Sequence, residues 1–267
     1  MATFNTTGVV NQSISRIGVT EPFELQVSRG QITGHAVELI SGISGSVGTS
    51  YITVWNQNTV YAYLSTASVM KISSSSASDT AAGTGARTIL IDGLDADYNQ
   101  ISETVTLNGQ TAVNTANSYL RVFHIAVLTA GTGEAAAGSI YAGTGTVTSG
   151  VPAVIYSVYA TANGATAAIW TVPAGYTAYL TGYASGYSNA SATANGTVSL
   201  CVRPFGSVFD TISQLRVSNG VQGWIAFQYP IAVAEKSDIE IRAVSSAASS
   251  GVTTEFQLVY IKNEGAL

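Results

Sequence analysis

Apolar residues recur at every second position through most of the chain from about residue 50 onward, the period of a strand with one buried face. In Asp238-Ile239-Glu240-Ile241-Arg242 the isoleucines point one way and the charges the other. That charged row reads as an outward face, solvated or in contact with another subunit. In Val198-Ser199-Leu200-Cys201-Val202 the large apolar residues alternate, which puts Ser199, Cys201 and Arg203 on the opposite face. Glu103 to Leu107 alternates as well and runs into Asn108-Gly109, with Gln110 to Val113 beyond. Asn-Gly between two such runs predicts a two-residue hairpin, because a type I′ turn needs positive φ twice. Tyr119 to Leu128 is apolar on both faces and predicts a central strand, with His124 packed on the side of Leu120, Val122 and Leu128. Tyr176 to Tyr183 and Thr253 to Ile261 predict further strands, and no stretch carries a long helical period.

These elements predict an all-β chain with three parts. Residues 1–50 are polar and weakly patterned and read as an extended N-terminal arm. Residues 51–150 read as a first β domain ending in the Gly/Thr-rich "AGTGTVTSG", and residues 151–267 as a second. Short strands with Gly-rich turns point to β-sandwich or jelly-roll-like domains.

Composition adds a constraint on the surface. Charged residues are 9% of the 267, while hydrophobic residues are 46%, against about 25% charged in ordinary soluble domains. Such a chain buries a core but covers itself with small hydroxyl and amide residues, or with other protein, and low charge favours association. It therefore reads as a subunit of an assembly. The net charge is −5, and the seven Arg and three Lys are scattered, which argues against direct nucleic-acid binding. The first residues lack the pattern of a signal peptide, and no run of 18 apolar residues predicts a membrane span. One cysteine, Cys201, excludes an internal disulfide framework and a four-cysteine zinc site.

Two stretches imitate chemical motifs. Gly83-Thr84-Gly85 suggests a phosphate loop, but the order is loop then strand (Thr88 to Ile91), with no helix to present its N-terminus and no Lys-Ser/Thr pair. Asp92 to Asn99 suggests a calcium loop. Counted from Asp92, Glu103 falls at position 12, but Leu94 and Ala96 fall where carboxylates are needed. Counted from Asp95, the sixth and twelfth positions are Gln100 and Thr106. Asp and Asn there read as turn formers, with no metal and no cofactor expected; a calcium site of another kind, built from Asp92, Asp95 and Asp97, is the alternative. Catalysis has little to work with: His35 lies in the arm, His124 in a strand, and Cys201 has no histidine near it in sequence. Asp238 and Glu240 have the spacing of a carboxylate pair on one strand face, but the surface reading of that row is preferred. Trp55, Trp170 and Trp224, with fourteen tyrosines, offer material for a sugar platform or for packing. No enzymatic activity is expected.

The segment "SSSSASDTAAGTGARTILIDGLDADYNQISETVTLNGQTAV" resembles structural proteins of tailed bacteriophages, of the marine and cyanobacterial type. Upstream "RGQITGH" and "TVWNQNTVY" look like the leader of the same family. Downstream "WTVPAGYTAYLTGY", "VRPFGSVFD" and "VAEKSDIEIRA" look like its second β domain. The resemblance implies a virion structural protein on the exterior of the particle, made in the host cytoplasm. Its expected role is capsid decoration, or cement, as a homo-oligomer expected to be a trimer, with the major capsid protein as partner. The alternative is a neck, tail-fibre or tail-tip component that binds neck or tail proteins and a host receptor or glycan. It brings no catalytic, cofactor-binding or metal residues.

Overall fold

A computed structural model describes residues 21–161 and 164–263. After a short helix, α1 (Phe23–Ser28), come strands β1 (His35–Val47), β2 (Ile52–Thr53) and β3 (Ser68–Ser74). Next are β4 (Ala86–Leu94), β5 (Gln100–Thr106), β6 (Val113–Tyr119), β7 (Arg121–Ala130), β8 (Ile140–Thr148) and β9 (Val151–Ala160). The chain continues with β10 (Gly164–Ala165), β11 (Ile169–Thr171), β12 (Tyr176–Ser188), β13 (Asn195–Arg203), β14 (Asp210–Ser218), β15 (Gln222–Val233), β16 (Asp238–Ser245) and β17 (Ser250–Lys262). The fold is all-β, built as sandwiches.

The first body packs the sheet β10-β9-β8-β3-β6 against the sheet β5-β4-β7. Met70 and Ile72 from one sheet meet Ile89, Ile91 and Ile125 from the other in a buried core. The second body packs β1-β17-β12-β15 against β11-β16-β13-β14, with β2 added beside β16. Its core sets Val198, Leu200, Ile239 and Ile241 against Leu180, Tyr183, Phe256 and Leu258. The faces of β13 and β16 that alternation assigns to the core do pack into it.

Several expectations need correction. Of the arm expected over residues 1–50, residues 1–20 lie outside the described residues. Residues 35–47 are a strand of the second body, paired with β17 from His35↔Ile261 to Val47↔Ser250. The alternation is hidden there because two core-facing positions are Gly42 and Ser44. A Cβ on Gly42 would come within 2.3 Å of the Val54 carbonyl oxygen and 2.6 Å of the Ala168 nitrogen, so the close approach of the chain excludes any larger residue. The boundary expected at residue 150 is a hairpin instead. Ser149 and Gly150 take φ 49° and 79° and join β8 to β9, and the first core extends to Tyr156 and Ile169.

Asn108-Gly109 does turn the chain, but not into a hairpin. Only Gly109 takes positive φ (61°), Thr111 N–H donates to Asn108 O at 3.1 Å, and the flanking strands β5 and β6 belong to different sheets. β7 is an edge strand, not a central one. It is apolar on both sides because Ile125 faces the first core while Phe123 stacks on Trp170 of the second body, centroids 6.0 Å apart. A register shift opposite Asp92/Gly93 breaks its alternation, and His124 is half-exposed, not packed beside Val122.

Candidate functional site

The charged row of β16 is buried where the two bodies meet. Asp238 is 3% and Glu240 0% exposed, because the face opposite the isoleucines is covered by residues 61–64 and by β7. Arg121, from β7 of the first body, gives Nε to Asp238 Oδ1 at 2.8 Å and Nη2 to Oδ2 at 3.2 Å. Its Nη1 donates to the carbonyls of Leu64 and Leu120, both at 2.9 Å. Arg203, from β13, gives Nε and Nη2 to Asp238 Oδ2 at 2.9 and 2.6 Å, and Thr171 Oγ1 donates to Oδ1 at 2.6 Å. Burial works against the charge on Arg121, but Asp238 more than offsets it and holds its pKa above the ordinary arginine value.

Glu240 accepts from Thr53 Oγ1 at 3.2 Å, from Tyr63 OH at 3.1 Å and from Arg242 Nε. Burial pushes its carboxyl up, and Arg242, Tyr63 and Thr53 hold it back only in part. The same burial, reinforced by Glu240, raises the Tyr63 phenol.

Aromatic rings alternate with the guanidinium groups. The Tyr63 centroid lies 5.0 Å from the Arg121 guanidinium carbon and 4.4 Å from that of Arg203. The Phe209 centroid lies 4.7 Å from Arg203 and 4.6 Å from Arg242. The order Arg121, Tyr63, Arg203, Phe209, Arg242 is thus a stack of cations and ring faces. Its chemistry is adhesion: every carboxylate is engaged and no proton or nucleophile is left poised. The signal for it was in the sequence, in the alternating charges of "SDIEIRA" and the Arg203, Phe205 and Phe209 of "VRPFGSVFD". It pointed to a surface because alternation cannot say what covers the polar face.

Cys201 shares that covered face and is 3% exposed. Its sulfur lies 3.7 Å from Ser199 O and 3.6 Å from Thr211 Oγ1, and burial pushes the thiol up, away from nucleophilic use. Neither histidine is among its partners. His35 Nδ1 sits 3.1 Å from Thr33 O, and the ring packs edge-on against Phe23.

The two imitated motifs resolve into turns. The Asp79 carboxylate is fully buried and accepts from Ser74 Oγ (2.5 Å) and from the N–H groups of Ala86 (2.7 Å), Ala137 (2.8 Å) and Gly138 (3.0 Å). Gly85 is required because a Cβ there would sit 2.1 Å from Asp79 Oδ1. The Gly-rich stretch therefore wraps its own aspartate. Asp95 Oδ1 accepts from the N–H groups of Asp97 and Asn99, both at 2.9 Å, and Oδ2 from Asn99 Nδ2 at 3.1 Å. Among the described residues no three His, Cys, Asp or Glu side chains gather as a metal site would need.

Asp92 faces elsewhere, into a cleft of about 320 Å³ lined by Glu38, Gln100, Phe123, His124 and Trp170 among others. His124 Nδ1 is 4.0 Å from Asp92 Oδ1, too far to hydrogen-bond, and that oxygen has no hydrogen-bond partner among the described residues. Burial raises the carboxyls of Glu38 and Asp92. Asp92 adds to the rise at Glu38, and His124 moderates the rise at Asp92. Of the tryptophans, Trp55 and Trp170 are core residues, while Trp224 is 50% exposed above a trough of about 390 Å³ on the outer face of β12, β15 and β17.

No family model matches the chain, and no curated protein does. Among solved structures, the chain is similar to the structure of infectious bursal disease virus Gt strain at 10% identity and a TM-score of 0.25, covering 92% of this chain and 79% of that one. The Gx strain structure gives 9% identity and a TM-score of 0.25, over 87% and 73%. A mutant VP2 protein of the same virus, in derived T=1 particles, gives 11% identity and 0.24, over 86% and 70%.

Proposed function

We propose that this chain is a non-enzymatic structural subunit of a tailed-phage virion, a decoration protein that stabilises the capsid exterior as an oligomer bound to the major capsid protein. The observation that carries the reading is the corner formed by β14 and β15, bare among the described residues. Each is the end strand of its sheet, and the two follow one another across a tight turn at residues 219–221. Natural sheet edges are protected by charge or by covering structure. The twelve residues of β15 contain no charge, and only Pro230 interrupts them. On β15 Tyr229 is 79% and Trp224 50% exposed, and Val208, in the loop just ahead of β14, is 77% exposed. An apolar edge of this kind belongs against another protein surface. The low charge of the whole chain and the resemblance of its motifs to phage structural proteins support the same reading.

The test is to locate and count the chain in a particle reconstruction. On the order of hundreds of copies, with β14 and β15 in the contacts, fits a decoration role, in which many weak contacts act together. Fewer, at the neck or tail, would replace that role with the receptor-binding alternative. In solution, Tyr229→Glu should shift the oligomer to monomer in light scattering without lowering the melting temperature. An unchanged oligomer would move the contact elsewhere.

A further inference from the structure

The seam between the bodies opens into a small cavity that an assembly role leaves unused. Its volume is about 260 Å³, just below the roughly 300–1,000 Å³ of drug-sized ligand sites, so it suits a single ring-sized group. The buried Arg121 and Asp238 form the floor, with Arg203, Tyr98, Phe205 and Lys236 around them. Three of the ten basic residues of an acidic chain thus meet one carboxylate in one cavity.

The cations are not all spent. Arg203 gives Nε and Nη2 to Asp238, which leaves Nη1 without a protein acceptor among the described residues. Lys236 enters no ion pair among them. Its ammonium lies 5.8 Å from the Tyr98 centroid and 5.7 Å from that of Phe205, and the two rings meet at 89°. Phe205 is 65% exposed. Tyr98 and Lys236 also share an unusual backbone, with φ of 68° and 61°. Gly and Asn are the ordinary occupants of that region.

We propose that this cavity binds an acidic saccharide, its carboxylate between Lys236 and Arg203 Nη1 and its ring against Phe205 and Tyr98. The apolar C–H face of a sugar packs on aromatic rings, and a carboxylate completes the free cationic donors. A single negative charge suits the site better than a doubly charged phosphate, because Asp238 lies in the floor. A peptide fits less well. Tyr98, Phe205 and Lys236 stand on three turns, closed by Tyr98 N–H to Asp95 O, Ser207 N–H to Pro204 O and Ser237 N–H to Ala234 O. No free strand edge among them offers a backbone ladder. The site does not depend on where in a particle the chain sits.

The experiment titrates the intact protein with glucuronate and N-acetylneuraminate, followed by saturation-transfer NMR and calorimetry. Glucose, inorganic phosphate and tetraglutamate are the comparators. At least one acidic sugar should bind saturably and glucose should not. Lys236→Asn should hold or raise the melting temperature, since Asn suits the left-handed backbone, and should weaken sugar binding about ten-fold or more. Phe205→Ala should weaken it as well. Equal binding of glucose, unchanged binding by Lys236→Asn, or no saturation by either acidic sugar up to about 10 mM, beyond the millimolar limit of weak specific binding, would overturn the proposal. Tighter binding of tetraglutamate or phosphate would also overturn it and assign the cavity to a peptide or a phosphate. None of these results bears on copy number, so the virion reading stands or falls separately.

Discussion

Removing the Asp79 carboxylate would strand the buried N–H groups of Ala86 and Gly138, while that of Ala137, on an exposed residue, could turn to water. Each unsatisfied buried donor costs about 1–3 kcal/mol. Asp79→Ala should therefore destabilise the first body by at least about 2 kcal/mol, read from urea denaturation. A loss near zero would mean that the loop rearranges around the gap. Asp238 holds a second such knot, between the bodies. Asp238→Ala leaves Arg121 buried with its fork unpaired and Arg203 half-released. Breaking a buried pair from one side costs roughly 3–5 kcal/mol. Calorimetry should show a lowered transition, and separation into two would mean that this carboxylate couples the bodies.

At the scale of elements, the strands with large apolar residues on one face were legible, and β13 and β16 bury the faces that alternation assigns to the core. β1 was not legible. Its inward row includes Gly42 and Ser44, small because Val54 and Ala168 press against the sheet, and smallness reads as weak patterning. The seam was half legible. The sequence separates the charged face of β16 from the apolar one, but Arg121 and Tyr63 reach it from far along the chain. The hairpin expected at Asn108 failed for a related reason: a local turn signal fixes a reversal but not which strand each arm will pair with. Placing β1 in the second sandwich also changes what a truncation does. Deleting residues 1–48 would strip the partner of β17 and expose Phe256 and Leu258, so the shortened chain should fail to fold cooperatively. A truncation ending before α1 keeps every β1–β17 pair. Sharp thermal unfolding of the longer deletion would show that β17 can serve as an edge.

For the whole molecule, the buried carboxyls set an acid response. Glu38, Asp92 and Glu240 all have folded pKa values raised, first by burial. A carboxyl with a raised folded pKa favours the fold when protonated. That contribution is complete below the unfolded value near about 4 and is lost as pH rises through the folded one. The melting temperature should therefore hold or rise from pH 7 to about pH 5 at constant ionic strength, where most proteins gain nothing from acid. A steady fall over that window would mean that these raised carboxyls do not govern the acid response. Asp95 acts lower down: burial raises its carboxyl, the hydrogen bonds from Asn99 and Asp97 together carry it below the ordinary value, and its contribution is lost only below about pH 5. The path of the chain between the bodies has a further consequence, for synthesis. The strands of the first body lie between β2 and β11, inside the sequence of the second, and β1 pairs with β17 across more than two hundred residues. On the ribosome the first body has all its strands once β10 emerges, while β1 waits exposed until the last strand is made. Domains that complete early fold as units during translation, and an unpaired strand is the part of a nascent chain most open to wrong partners. The glycines and serines between Ser41 and Ser46 that hide β1 from a pattern reader also thin the apolar surface it shows its neighbours on the polysome while it waits.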